Sequence, residues 1–236
     1  MAFHSGSEGR VYLDFYNLSP YLNNVSVTRN RDLTDVSCLG DGNRDFFPTI
    51  SNASCTVSGF LDSLSGASEP ALRAAFEASS SEAVSIFYNT DAIGSRGVCG
   101  SGWTASYEAS APVDGVQAVA ADFQFTGQVD ACVSLHALGT ETTTGTYTSV
   151  DNTAATTNGA VANLHVTAAG ATGTGTVLIQ DSADNMTFAT IITFANFTTT
   201  TSETKTYSGT VRRYVRANLS SARNTQTFVV AFGRRP

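Results

Sequence analysis

Residues 116–138, VQAVAADFQFTGQVDACVSLHAL, decide the fold. Phe123 and Phe125 alternate with Asp122, Gln124 and Thr126, the two-residue period of a half-buried strand. The run is long enough for two strands in line, with Gly127 as a bulge or bend between them. Upstream, Pro112-Val113-Asp114-Gly115 is a turn and residues 98–109 read as another strand, with Trp103 and Tyr107 among its larger side chains. Further back come strand patterns at 83–88, 56–62 and 25–28. At 10–16, Val11, Leu13 and Phe15 fall on one face and Tyr12, Asp14 and Tyr16 on the other. One helix is expected over 69–78, capped by Ser68, with Pro70 in its first turn and Leu72, Ala75 and Phe76 lining one side. Residues 37–53 read as a long loop rich in Gly, Asp, Asn and Ser, with Phe46-Phe47-Pro48 inside it.

Downstream, the stretch from Glu141 to 158 is Gly, Thr, Ser, Asn and Asp with few large apolar groups, which reads as a linker. Strand candidates follow at 160–166, 176–180, 188–194, 204–208, 214–218 and 227–232, separated by turns, with no helix pattern. The expected organisation is mainly β. A domain over 1–140 with one short helix and a linker over 141–158 precede an immunoglobulin-like or jelly-roll β-sandwich over 159–236.

At 236 residues the chain suits one or two domains, and its 42% apolar content excludes wholesale disorder. Only 14% of residues are charged, which disfavours coiled coils and long charged helices. The net charge of −7 is unevenly placed. Residues 1–140 hold six Arg, no Lys and fifteen acids, a net −9; residues 141–236 hold six Arg and Lys205 against five acids, a net +2. Such a chain is a poor nucleic-acid binder, although it could repel nucleic acid to some purpose. The opening MAFHSG has neither the basic nor the apolar region of an export signal, and no run approaches the length of a membrane span. Cys38, Cys55, Cys99 and Cys132 are widely spaced, without a CxxC pair, and are expected as free thiols.

Catalytic and cofactor patterns are missing. His4, His136 and His165 lack ligand spacing, and no G-x-S-x-G occurs. Gly40-Asp41-Gly42 and Gly173-Thr174-Gly175 lie in turns, not at strand-to-helix crossovers, so no phosphate or other cofactor site is expected. Asp181-Ser182-Ala183-Asp184-Asn185 has oxygen ligands suited to Ca²⁺ but is explained by an Asx-rich turn. On a strand, Arg212, Tyr214 and Arg216 share one face and Arg213 and Val215 the other, so the cationic cluster divides. A pair of carboxylates placed for sugar hydrolysis would require a cleft that the sequence does not indicate.

The segments Gly9 to Asp14, Leu18 to Asn23, Val25 to Arg29, Ala53 to Asp62, Ser110 to Val113 and Ala121 to Gly127 together resemble tail tube (major tail) proteins of long-tailed bacteriophages. Leu164-His165-Val166, Gln180 to Asp184, Phe188 and Arg213 to Ala217 resemble the extra sandwich appended to some of them, and also carbohydrate-binding jelly rolls, although this half has no Trp. The resemblance implies a barrel-forming, β-sandwich-like first domain that builds stacked, usually hexameric rings, without enzymatic activity. It implies as partners further copies of the chain, the tape-measure and the tail terminator and tip proteins. Genomic DNA would pass through an acidic lumen without specific binding, repelled within a Debye length of about 8 Å. It implies a place in the virion tail, assembled in the host cytoplasm, with no membrane contact. On this reading Phe46 and Phe47, with segment 1–9, are expected contacts between rings. Tyr207, Tyr214, Arg212 and Arg216 are candidate contacts to host surface glycans. The alternative is a capsid-decoration or host-surface carbohydrate-binding module.

Overall fold

The computed structural model describes residues 6–40 and 42–235, so His4 and the first five residues of segment 1–9 lie outside it. In chain order its strands are β1 (Arg10–Leu13), β2 (Tyr16–Asn17), β3 (Leu22–Asp35) and β4 (Phe46–Phe60). Helix α1 (Ser68–Glu77) leads into β5 (Glu82–Phe87), β6 (Arg96–Ser110) and β7 (Ala118–Glu141). Two short strands follow, β8 (Gly145–Thr146) and β9 (Val150–Asp151). The rest are β10 (Ala160–Ala169), β11 (Thr176–Ser182), β12 (Ala189–Thr193), β13 (Thr201–Tyr207), β14 (Tyr214–Ser221) and β15 (Gln226–Arg234). The fold is mainly β and sandwich-like, as the alternating patterns require.

β7 organises the molecule because it is used twice. Residues 118–124 pair on one side with β4 (Ser54 to Phe60) and on the other with β6. Beyond Gly127, which adopts φ +68°, the edge that β4 leaves is taken over by β15, from Gly233↔Cys132 to Gln226↔Glu141. One ten-stranded sheet results, ordered β13-β10-β15-β7-β6-β5-β1-β2, with β3 and β4 joined to it through β7. A second sheet, β12-β11-β14-β8 with β9 also on β14, closes the C-terminal sandwich.

Three apolar clusters fill the layers. One packs α1 through Ala71, Leu72 and Ala75 against Val57, Val119, Ala121, Phe123 and Phe125. Another lies inside the C-terminal sandwich, with Ile179, Val215, Leu219, Phe228 and Phe232. The third, Tyr12, Phe87, Cys99, Cys132, Val161, Val229 and Ala231, joins the two halves. Buried polar groups reinforce this seam. Asn163 Nδ2 donates to Val84 O and Gly100 O, both at 2.9 Å, and His165 is held between Asp14 O and Ser85 Oγ.

Several local expectations need correction. The run 10–16 is a tight hairpin, because Asp14 turns the chain at φ +52° and Leu13 pairs with Tyr16. Val11, Tyr12 and Leu13 are all buried, since the C-terminal half covers the face that alternation assigned to solvent. Residues 46–53 are not loop but strand, paired from Asp35↔Phe46 to Arg29↔Ala53; a register shift between Arg31 and Leu33 accommodates Pro48, which lacks an N–H. Ser68 makes no N-cap bond; its hydroxyl donates to Phe60 O at 2.7 Å and accepts from Asp62 N. Phe76 is half exposed. Within the expected linker, β8 and β9 pair with β14 and Tyr147 N bonds Ala217 O. These are edge strands held by backbone pairing, so they carry little apolar signal in sequence.

Candidate assembly surfaces

Helix α1 and its cluster cover one face of the four strands β3-β4-β7-β6. The pairing registers set the residues of the other face in rows. One row is Ser26, Thr56, Asp122 and Ser106; its neighbours are Thr28, Ser54, Gln124 and Trp103, then Asn24, Ser58, Ala120 and Glu108. Thr56 Oγ1 donates to Asp122 Oδ1 at 2.7 Å and Ser106 Oγ to Oδ2 at 2.8 Å. These two bonds hold the Asp122 carboxyl below the usual carboxylate range. No Lys or Arg stands in these rows. The alternation of 122, 124 and 126 was visible in sequence; a face without cations across four strands was not, because it depends on three registers.

Both sides of this sheet segment are open. Among the described residues β3 pairs with β4 alone, and β5 covers β6 only from Gly97 to Gly102, which leaves Trp103–Ser110 with a free edge. Unpaired N–H and C=O groups therefore line two opposite edges of one short sheet, and each is a template for another strand.

Where β4 leaves β7 after Ser54↔Gln124, the β3–β4 hairpin continues as an arm through seven residues of β3, Arg29 to Asp35. It exposes Leu33, Val36, Leu39, Phe46, Phe47 and Ile50, with Phe47 at 62%. Phe46 and Phe47 are thus surface aromatics, carried on a strand rather than in a loop. Apolar groups gathered like this on one projecting element mark a contact surface.

The four glycan candidates do not form one surface. Tyr207 ends β13 in the large sheet, while Tyr214 and Arg216 stand on β14 in the small one. Arg212 is engaged by the buried Asp181, which accepts from its backbone N and its Nε at 2.8 and 2.9 Å. The Arg216 guanidinium lies 3.7 Å from the Phe188 ring centroid and donates to Gln180 Oε1; partial burial lowers its pKa. Arg213 pairs with Asp151 at 2.7 Å and holds that carboxyl at about 2. In the 181–185 turn, Asp184 Oδ1 accepts from Met186 N, Thr187 N and Ser182 Oγ, which brings its pKa to about 2. His165 is fully buried and neutral, its pKa pushed down to about 4 by burial, and the His136 ring stacks 4.1 Å from Phe228. Among the described residues no group of three or more His, Cys, Asp or Glu is placed to hold a metal ion, and no helix is long and apolar enough to cross a membrane.

No family model and no curated protein matches the chain. Among solved structures it is similar to a chain in the virion of a native gene transfer agent particle, with a TM-score of 0.46 and 16% identity, over 55% of this chain and 98% of that one. It is similar to the SPP1 tail tube at a TM-score of 0.44 and 14% identity, over 53% of this chain and 77% of that one. It is also similar to the SPP1 Dit protein at a TM-score of 0.37 and 13% identity, over 95% and 98%. At these scores and identities the functional reading rests on the residues of this chain.

Proposed function

We propose that this chain is a tail tube subunit of a long-tailed bacteriophage, a structural and not an enzymatic protein. Copies join edge to edge, the open edge of β3 meeting the open stretch of β6, and close a ring in which the four-stranded segments form one β-barrel. Six copies is the expected number. Rings stack through the β3–β4 arm, with Phe46 and Phe47 seated in the next ring. The Asp122 face lines the lumen, where hydroxyls, amides and carboxylates without cations let DNA pass during ejection without being held. The C-terminal sandwich stands outside the barrel, consistent with the net +2 charge of residues 141–236, which would attract phosphate if it faced the pore. Tape-measure, terminator and tip proteins complete the assembly in the virion tail, after assembly in the host cytoplasm. A contact from Tyr214 and Arg216 to host glycans is a further role compatible with an outside position.

The single observation that carries this reading is the pair of opposite open edges on one sheet whose uncovered face lacks cations. Two such edges on one subunit make a head-to-tail contact, which closes into a ring or runs on as a fibre. Sedimentation velocity tests it, on the wild type and on Val27→Pro and Thr28→Pro separately. Along a strand the N–H groups alternate in direction, so one proline removes a bond to β4 and the other removes a donor from the open edge. The second variant should remain folded and monomeric where the wild type forms rings. Rings from both folded variants would contradict edge pairing.

A further inference from the structure

We propose that a cleft walled by Arg29, Arg96 and Arg234 is a socket for the acidic β6–β7 turn of a second copy stacked end to end. This rests on the tube reading and adds to it a surface outside the arm. The cleft holds about 350 Å³, and its walls also include Tyr88, Asn152 and Phe232. Arg96 opens β6 and pairs with Val133, and Arg234 follows Gly233, which pairs with Cys132. Arg29 reaches over upper β7 from the base of the arm and donates to Val129 O at 2.9 Å. The three cations therefore converge at the end of the β6–β7 ribbon where β6 begins, beside the base of the arm.

Among the described residues no carboxylate neutralises their charge. Arg29 and Arg234 donate to the main-chain carbonyls of Val129 and Ala154, which orient a guanidinium without cancelling its charge. No carboxylate among the described residues forms a salt bridge with any of the three. Three unpaired guanidinium groups around one cleft, in a chain of net charge −7, form a site for an anion.

The opposite end of the same ribbon has the complementary character. There Phe60, Ser110 and Ala118 share a row, and the β6–β7 turn carries Asp114 between Val113 and Val116, which are 100% and 69% exposed. The adjoining loop adds Asp62 and the exposed Leu64, and Glu108 lies just before the turn. Residues 60–67 and 108–117 contain no Lys or Arg. The fifteen residues of β6 separate the two ends by about 45–50 Å at ~3.3 Å per residue, so a chain does not reach its own socket. A copy displaced along the strands brings Asp114 to the arginines. It also brings Val113, Val116 and Leu64 towards the apolar side chains of the arm. A contact between two different ends repeats without closing, which is what stacking requires.

Charge exchange in the full chain tests this. Arg96→Glu, Asp114→Arg and the double variant are compared with wild type by circular dichroism, sedimentation velocity and negative-stain electron microscopy. Both positions are exposed, so all three variants should fold and form rings. Each single variant should shorten tubes about tenfold or more, and the double variant should restore their length. Normal tubes from either single variant, or a double variant no better than the singles, would overturn the proposal. Loss of inorganic phosphate binding in Arg96→Glu with tube length unchanged would show a small-anion site and would also overturn it. Wild-type chain that makes no rings would defeat the underlying tube reading, whereas tubes indifferent to both charges would defeat the socket alone.

Discussion

Asn163→Ala tests whether the two halves of the chain are one energetic body. The Asn163 side chain is fully buried on β10 yet serves the other half of the molecule. Its Nδ2 donates to Val84 O and Gly100 O at 2.9 Å and to Ser85 Oγ at 3.1 Å, and its Oδ1 accepts from Thr204 Oγ1 at 2.9 Å. Alanine removes all four contacts where water does not reach. At about 1 kcal/mol for each lost bond, the cost is about 3–4 kcal/mol. The chain's one tryptophan, Trp103, lies on β6 in the first half and reports from there. Urea unfolding followed by Trp103 fluorescence, at concentrations where the chain is monomeric, should show the midpoint falling by about 1 M for an m-value of about 3 kcal/mol/M. A tethered second unit would behave differently: the Trp103 transition would stay in place while circular dichroism revealed a separate, weaker one. That result would refute the continuous-body argument. Truncation after residue 145 would cut through this shared body. It removes β15 from β7 and uncovers the side chains of Tyr12, Phe87, Cys99 and Cys132, so the remaining piece would present an apolar face in place of a finished surface.

Three further outcomes are expected. Burial, with Asp14 nearby, raises Glu82 from 4.5 to about 7. A carboxyl whose folded pKa exceeds its unfolded value costs stability as pH rises through that window. Glu82→Gln should therefore match wild type below pH 4.5 and exceed it by about 1–2 kcal/mol near pH 8, after discounting for partial exposure; equal melting temperatures at pH 8 would contradict this. Phe46→Ala with Phe47→Ala should leave the subunit folded and ring-forming but unable to stack, and tubes of normal length would count against the arm. Asp122→Lys should still assemble, yet its tubes should retain duplex DNA at low salt and release it as salt rises; tubes that ignore DNA would argue that this face does not line the lumen.

Much of the fold was legible in sequence, for identifiable reasons. The alternation around Phe123 and Phe125 placed β7, and all six strands proposed after residue 159 occur at nearly those positions, because each buries one face and is bounded by turns. What escaped was burial on the second face. In β10 the odd positions Val161, Asn163 and His165 pack on the first half while the even positions face the sandwich interior; period-two reasoning has no means of detecting a second cover. The hairpin over 46–53 was hidden by Pro48 and by polar residues whose strand character comes only from pairing with β3. The candidate sites were less visible still. Arg29, Arg96 and Arg234 come from three distant strands and meet only through the change of partner along β7, and the cation-free face depends on registers that no local pattern encodes.

The central claim is that this chain polymerises through its sheet edges into a hollow tube. Cryo-electron microscopy of the purified full-length protein, concentrated without other tail components, tests it most directly. The account predicts stacked rings around an open channel, with β3 of each copy hydrogen-bonded to β6 of its neighbour and Asp122 facing the channel. Isolated monomers at every concentration, or rings joined through the C-terminal sandwich with β3 and the far half of β6 left unpaired, would contradict it.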